Sequence, residues 1–189
     1  MKPSERLFFI ALLPPQKIQN QITEIKHYFA QTYNSRHALK SPPHITLQPP
    51  FKWLIEDLTT LEHHLTTFAL NSSPIPITLS GFNAFPPRVL FVNVIKTPEL
   101  INLQQALMND LEQQLNIVHE VSKKRSFSPH VTVAFKDLTP TAFKTAWPEF
   151  AQRPIYFEFT VSELTLLIHD GQNWNIKAQF PFLNITFPQ

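Results

Sequence analysis

The sequence predicts a mixed strand-and-helix chain built as two similar lobes about a pseudo-two-fold axis, with a cleft between them. Three observations carry that expectation. The order strand, helix, strand, helix, strand occurs twice along the chain. Three segments recur in the same order: Arg6-Leu-Phe-Phe-Ile with Arg88-Val-Leu-Phe-Val, Pro43-His44-Ile-Thr-Leu with Pro129-His130-Val-Thr-Val, and Pro74-Ile-Pro-Ile-Thr-Leu with Pro154-Ile-Tyr-Phe-Glu-Phe. Each recurrence is shifted by 80 to 86 residues, which argues for an internal duplication. The 189 residues suit a single domain spanning 1–189, with internal repeats over roughly 6–85 and 88–183.

The elements follow from local pattern. Residues 6–13 form a short apolar run closed by Pro14-Pro15, which reads as a buried strand. The run is too short to cross a membrane, and no small-residue cleavage site follows it, so a strand is the better reading than a leader. Ile18, Ile22, Ile25 and Phe29 then mark one face of a helix. His44 to Leu47 begin a second strand, which Pro49-Pro50 is expected to end. Leu54 to Leu70 read as a helix with Leu58, Leu61, Leu65 and Phe68 on one side. Ile75, Ile77 and Leu79 alternate as a strand, and Arg88 to Ile95 form another.

Pro98 stands where a helix would start, and Leu100, Leu103, Leu107, Leu111 and Leu115 continue its stripe. His130 to Phe135 read as a strand, and residues 140–150 as a short helix. Residues 154–169 and 174–183 read as closing strands, joined by a turn at Asp170-Gly171.

Composition excludes several chemistries. The chain has no cysteine, so there is no disulfide, no thiol nucleophile and no Cys-ligated metal. That usage fits a reducing cytoplasm. Its two glycines, Gly81 and Gly171, cannot form a Gly-rich phosphate loop. The net charge of +2 is too small to announce a nucleic-acid coat. Phosphate, if it is bound, must be held by side chains.

His-x-Thr occurs at His44-Ile-Thr46, His64-Leu-Thr66 and His130-Val-Thr132. One such match is within chance for a chain with eight histidines. His64 lies in a helical stretch and lacks a preceding proline. His44 and His130 each follow a proline, have an apolar residue between His and Thr, and hold the same place in their repeats. In a strand, residues i and i+2 share a face, about 7 Å apart. Each lobe thus offers an imidazole and a hydroxyl. Facing each other, the two pairs would surround a tetrahedral anion. The hydroxyls can donate to phosphate oxygens. One histidine can remove a proton from a nucleophile while the other gives one to a leaving oxygen. Such a scheme requires no metal and no cofactor.

The paired Pro-His-Ile-Thr-Leu and Pro-His-Val-Thr-Val motifs resemble the H-x-T-x signatures of the 2H phosphoesterase superfamily. The opening Arg6-Leu-Phe-Phe-Ile-Ala-Leu-Leu-Pro resembles its 2′-5′ RNA ligase, or RNA 2′,3′-cyclic phosphodiesterase, branch. The resemblance implies a bilobal α+β fold with two antiparallel-rich sheets and flanking helices. It implies metal-independent opening of 2′,3′-cyclic phosphates on RNA ends or nucleotides, with reversible 2′-5′ RNA joining as a related activity. It assigns His44 and His130 as the catalytic pair and Thr46 and Thr132 as phosphate binders. Branch members often follow the second motif with Ala-Arg, whereas this chain has Ala134-Phe135-Lys136. Lys136 is the candidate for the cationic role, although a one-residue shift in a strand flips the face.

A nucleotide- or RNA-end-binding module that uses the same cleft without turnover is the alternative reading. The expected partners are RNA termini or nucleotides with cyclic or 2′,5′ phosphodiesters, with no membrane, and a monomer is the default. The basic run Ser122-Lys-Lys-Arg-Ser126 could steer an RNA end or be a solvated loop. Phe51 and Phe127 flank the motifs, and core packing is the better reading of each. His63 and His64 read as surface residues. His27, His37, His119 and His169 read as structural or exposed. Pro43 and Pro129 are expected to aim the histidines that follow them.

Overall fold

The computed structural model describes residues 4–183; the ends of the 1–189 span lie outside the described residues. The fold is α+β, built on two four-stranded antiparallel sheets. The first half of the chain supplies β1 (Glu5–Leu12), α1 (Gln16–Thr32), β2 (Ile45–Leu54), α2 (Leu58–Leu70) and β3 (Ile75–Phe85). The second supplies β4 (Val89–Val94), α3 (Pro98–Leu115), the single-turn α4 (Glu120–Lys123), β5 (His130–Ala134), α5 (Pro140–Gln152), β6 (Tyr156–Val161), β7 (Glu163–His169) and β8 (Trp174–Pro181).

The sheets run β2-β1-β7-β8 and β5-β4-β3-β6. The two motif strands, β2 and β5, each sit at a sheet edge beside β1 and β4. The third matched pair of segments does not keep its expected place. β3 and β6 are neighbours in one sheet, with Ile75 opposite Val161 and Leu79 opposite Phe157. The lobes therefore do not coincide with residues 6–85 and 88–183. β3 joins the second sheet, and β7 with β8 completes the first. Helices cross over too: α1 packs on β5 and α3 on β2, whereas α2 covers β7 and β8, and α5 covers β3 and β4.

One main apolar core runs through both lobes. Phe8, Ile10 and Leu12 of β1 enter it, as do Leu90, Val92 and Val94 of β4. The helical stripes join them through Ile22 and Phe29, Leu61 and Leu65, and Leu100, Leu107 and Leu111. The alternate β1 residues, Phe9 and Ala11, face the other way and pack with Leu167 and Trp174. Period-two alternation thus gives β1 a core face and a second face that floors the cleft.

Several boundaries depart from the pattern reading. Pro49-Pro50 does not end β2, which continues to Leu54. Proline is tolerated there because β2 is an edge strand and its pairing with β1 is irregular: Phe8 faces Phe51, but Ile10 faces Gln48. β3 likewise continues past Leu79 to Phe85 through an irregularity at Gly81, whose φ of 70° suits glycine. The stretch 154–169 is two strands, separated at Ser162, which belong to different sheets. α2 begins at Leu58, after a 3-10 turn over Ile55–Asp57. No helix among the described residues is long and apolar enough to cross a membrane.

Candidate active site

His44 and His130 open onto one cavity of about 790 Å³. Thr46, Thr132 and Lys136 line it as well. All five residues singled out from the sequence thus reach a common space, drawn from both sheets.

Each histidine is fixed in the same way. The His44 Nδ1–H donates to the Pro42 carbonyl at 2.6 Å, and the His130 Nδ1–H donates to the Ser128 carbonyl at 2.7 Å. A carbonyl can only accept, so Nδ1 carries the proton in both rings and Nε2 keeps its lone pair in the neutral form. The acceptor lies two residues back, across Pro43 or Pro129, and both prolines are buried. A proline fixes its own φ and also restricts the residue before it to extended conformations. That residue carries the accepting carbonyl. The local sequence x-Pro-His therefore builds the clamp for its own imidazole.

The ring faces are matched too. His44 packs on Phe9 at 4.7 Å and His130 on Phe91 at 4.8 Å. These two phenylalanines hold equivalent places in the Arg6 and Arg88 segments, a signal present in the sequence that pattern reading passed over. Burial lowers the pKa of both imidazoles. For His44 the Pro42 hydrogen bond partly opposes that effect, and the charges of Lys26 and His130 add to it, leaving a value of about 4. His130 is lowered by burial, opposed in part by its Ser128 hydrogen bond.

Thr46 lies opposite Ala11, and Thr132 opposite Phe91. Neither hydroxyl is committed to a protein hydrogen bond among the described residues. Lys136 avoids the flipped-face problem because β5 ends at Ala134. Lys136 adopts a left-handed φ of 58°, and its ammonium sits 5.5 Å from the centre of the Phe135 ring. Asp137 secures the turn. Its carboxylate accepts from the Ser35 hydroxyl at 2.8 Å and from the backbone N–H groups of Arg36 and His37 at 2.7 and 2.8 Å.

Other sequence readings change. His37 and His169 line the cavity, although neither carried a motif. Phe51 is a core residue stacked on Phe8, and Phe127 packs against the core. The exposed aromatic surface in the cavity comes instead from Phe85, which is 43% accessible and packs edge-on to His130. Lys123, Lys124 and Arg125 of the basic run lie off the cavity, with Lys123 paired to Glu112 on α3. His64 is part-buried and joined to Asp110.

Lys26 was invisible to periodicity. It occupies the buried face of α1, while Ile25, which the periodicity places on the apolar face, is half-buried. Lys26 is 2% accessible, its ammonium donates to the Ser41 carbonyl at 3.0 Å, and burial lowers its pKa to about 7. No three His, Asp or Glu side chains gather as a metal-ligand set among the described residues.

Two edge strands presenting matched His-x-Thr pairs to one cleft are the arrangement expected of the 2H phosphoesterase superfamily. The chain belongs to that group: the sequence model of the 2′-5′ RNA ligase superfamily matches residues 14–173. It is 28% identical over 174 residues to a protein of Bacillus cytotoxicus, covering 90% of this chain and 94% of the relative. It is 26% identical to one of Geobacillus kaustophilus, covering 90% and 93%. Both relatives are named only as candidate phosphoesterases. The fold is similar to that of Escherichia coli LigT in complex with 3′-AMP, with a TM-score of 0.67, 18% identity and coverage of 95% and 99%. It is also similar to TT0787 of Thermus thermophilus, with a TM-score of 0.65, 19% identity and coverage of 95% and 99%.

Proposed function

We propose that this protein opens 2′,3′-cyclic phosphates of nucleotides or RNA ends by general acid–base catalysis between His44 and His130. The observation that carries the reading is their matched clamping: each Nδ1–H is tied to a backbone carbonyl, which leaves each Nε2 for the shared cavity. The family membership and the relatives' names support phosphoester chemistry. The LigT structures with 3′-AMP, NADP+ and ATP support nucleotides as the ligand class.

In this scheme water adds to phosphorus as His44 Nε2 takes its proton. Burial holds the His44 ring neutral, with a pKa of about 4, which leaves its Nε2 lone pair open to that proton. The ribose oxygen leaves opposite the water as the second phosphorus–oxygen bond breaks, and His130 gives it a proton. Burial lowers the His130 pKa, but the bound phosphate's negative charge raises it again and favours the protonated acid. Thr46 and Thr132 donate to the non-bridging oxygens, and Lys136 offsets their charge. With an RNA hydroxyl as the partner oxygen, the same exchange at phosphorus joins strands through a 2′-5′ bond.

Turnover of 2′,3′-cyclic AMP, followed by release of the ring-opened monophosphate, tests the reading. Wild-type protein should act in the presence of EDTA and show a bell-shaped pH profile. His44→Ala or His130→Ala with near-wild-type turnover would overturn the assignment.

A further inference from the structure

We propose that the cavity contains a second anion subsite, formed by His37, Lys40 and His169, which takes a phosphate on the 5′ side of the nucleotide whose cyclic phosphate is opened. The proposal rests on the cyclic-phosphate reading above and specifies its substrate class.

The subsite is removed from the histidine pair. Three successive ring contacts lead across the sheet from His44 to Phe9, to Trp174 and to His169, at 4.7, 4.7 and 4.8 Å. The register separates the two places: Ile45, next to His44, pairs with Leu12 on one side of β1, whereas Ile168, next to His169, pairs with Phe8 on the other, four residues along the strand. A ligand with two separated phosphates can reach both, and a nucleoside carrying a cyclic phosphate has its 5′ oxygen as the remaining attachment point. The cavity, at about 790 Å³, falls in the size range of small-molecule sites rather than that of a lone ion.

Charge points the same way. Lys40, Lys136, His37 and His169 line the cavity, and no Asp or Glu does so among the described residues. These groups are in electrostatic reach of one another: after burial, Lys136 and Lys40 lower the His37 pKa, Asp137 opposes them, and His169 adds a smaller push. The two nearby carboxylates are turned to other work. Asp137 accepts from Ser35, Arg36 and His37. Asp170 accepts from the N–H groups of Gln172 and Asn173 and from the Asn175 amide. Two lysines and two imidazole donors without a lining carboxylate favour an anionic ligand.

The tautomer of His169 sets it apart from the proposed acid–base pair. The Gly171 N–H donates to His169 Nδ1 at 3.2 Å. The neutral ring therefore carries its proton on Nε2, the reverse of His44 and His130. It is built to donate a hydrogen bond to an anion, not to take a proton.

Calorimetry with adenosine 2′-monophosphate and adenosine 2′,5′-bisphosphate tests the subsite without relying on turnover. Wild-type protein should bind the bisphosphate about tenfold more tightly or better, as a charge-assisted contact implies. A Lys40→Gln/His169→Gln variant should lose that preference, and exposed Lys40→Gln alone should reduce it without altering the melting temperature. A dinucleotide ending in a 2′-phosphate gives the second arm. A gain there identifies an RNA backbone as the source of the second phosphate, and a gain with the bisphosphate alone identifies a free nucleotide. Equal affinities in wild type, or a preference that survives in the double variant, would overturn the subsite. Failure to open 2′,3′-cyclic AMP despite an intact bisphosphate preference would remove the catalytic reading and leave the subsite standing.

Discussion

His130 repeats His44 in ring partner, tautomer and clamp. Phe91 and Phe9 support the two rings at 4.8 and 4.7 Å, and Ser128 and Pro42 accept their Nδ1 protons. Paired clamping allows the two rings to act as one unit. Under the proposed chemistry, each single alanine variant should lose about 10²–10⁴ in kcat. The double variant should fall little further, because residues acting together are non-additive. Steady-state rates on 2′,3′-cyclic AMP read this, and multiplicative losses would show that the two act separately.

His44 should leave a mark on acid stability. Its folded pKa is about 4, against an ordinary value of 6.5. Between those values the unfolded chain binds more protons, so stability is full above pH 6.5 and falls as pH drops toward 4. His44→Gln should flatten that part of a denaturation-versus-pH curve. An unchanged slope would place the acid sensitivity elsewhere.

Pro43 and Pro129 should matter more for rate than for stability. Alanine at either position frees the backbone that presents the accepting carbonyl of Pro42 or Ser128. The expected result is a loss of about tenfold in kcat with a small change in melting temperature. Equal proportional losses in both would make these prolines ordinary structural residues.

Lys26 should link stability in the neutral-to-alkaline range to the acid limb of the pH–rate profile. Its folded pKa of about 7 lies below the ordinary 10.5. The unfolded chain holds the extra proton between these values, so stability rises with pH across that window and the burial penalty is full below pH 7. Lys26→Met should remove the slope. Because the Lys26 charge also depresses His44, the acid limb of the pH–rate profile should move upward in the same variant. A stability change without movement of that limb would limit Lys26 to packing.

Asp137→Ala should destabilise the protein by about 1–3 kcal/mol, since it frees two backbone N–H groups and a hydroxyl. Hydrogen exchange at Arg36 and His37 should rise with it. Unchanged protection there would show that the loop is held by other contacts.

Much of this site is legible because strands with period-two alternation announce themselves. Pro-His-x-Thr appeared twice, and both copies reach one cavity. What escaped detection was non-local. Pro49-Pro50 looked like a stop because sequence does not reveal that β2 lies at an edge with an irregular register. β3 and β6 looked like counterparts in separate lobes, because alternating apolar residues carry no record of which strand they will pair with. His37 and His169 have no partner at any fixed spacing; the cavity assembles them from a 3-10 turn and the end of β7. Lys26 sits at a helical position that periodicity assigns no special role, and only packing shows its ammonium enclosed.

The exchange of strands between sheets has a mechanical consequence. The chain passes from the first sheet to the second at residues 71–74, and returns at Ser162. Both passages are tied to the end of β8: Leu183 N–H donates to the Ser72 carbonyl, and Phe182 N–H to that of Ser162. Cleavage in the turn between Phe85 and Val89 would give neither fragment a complete sheet, so the two pieces should fold only in each other's company. β2, which follows directly on His44, and β5, which begins at His130, are thereby laced into one frame, and the spacing across the cleft is set by the chain's own path.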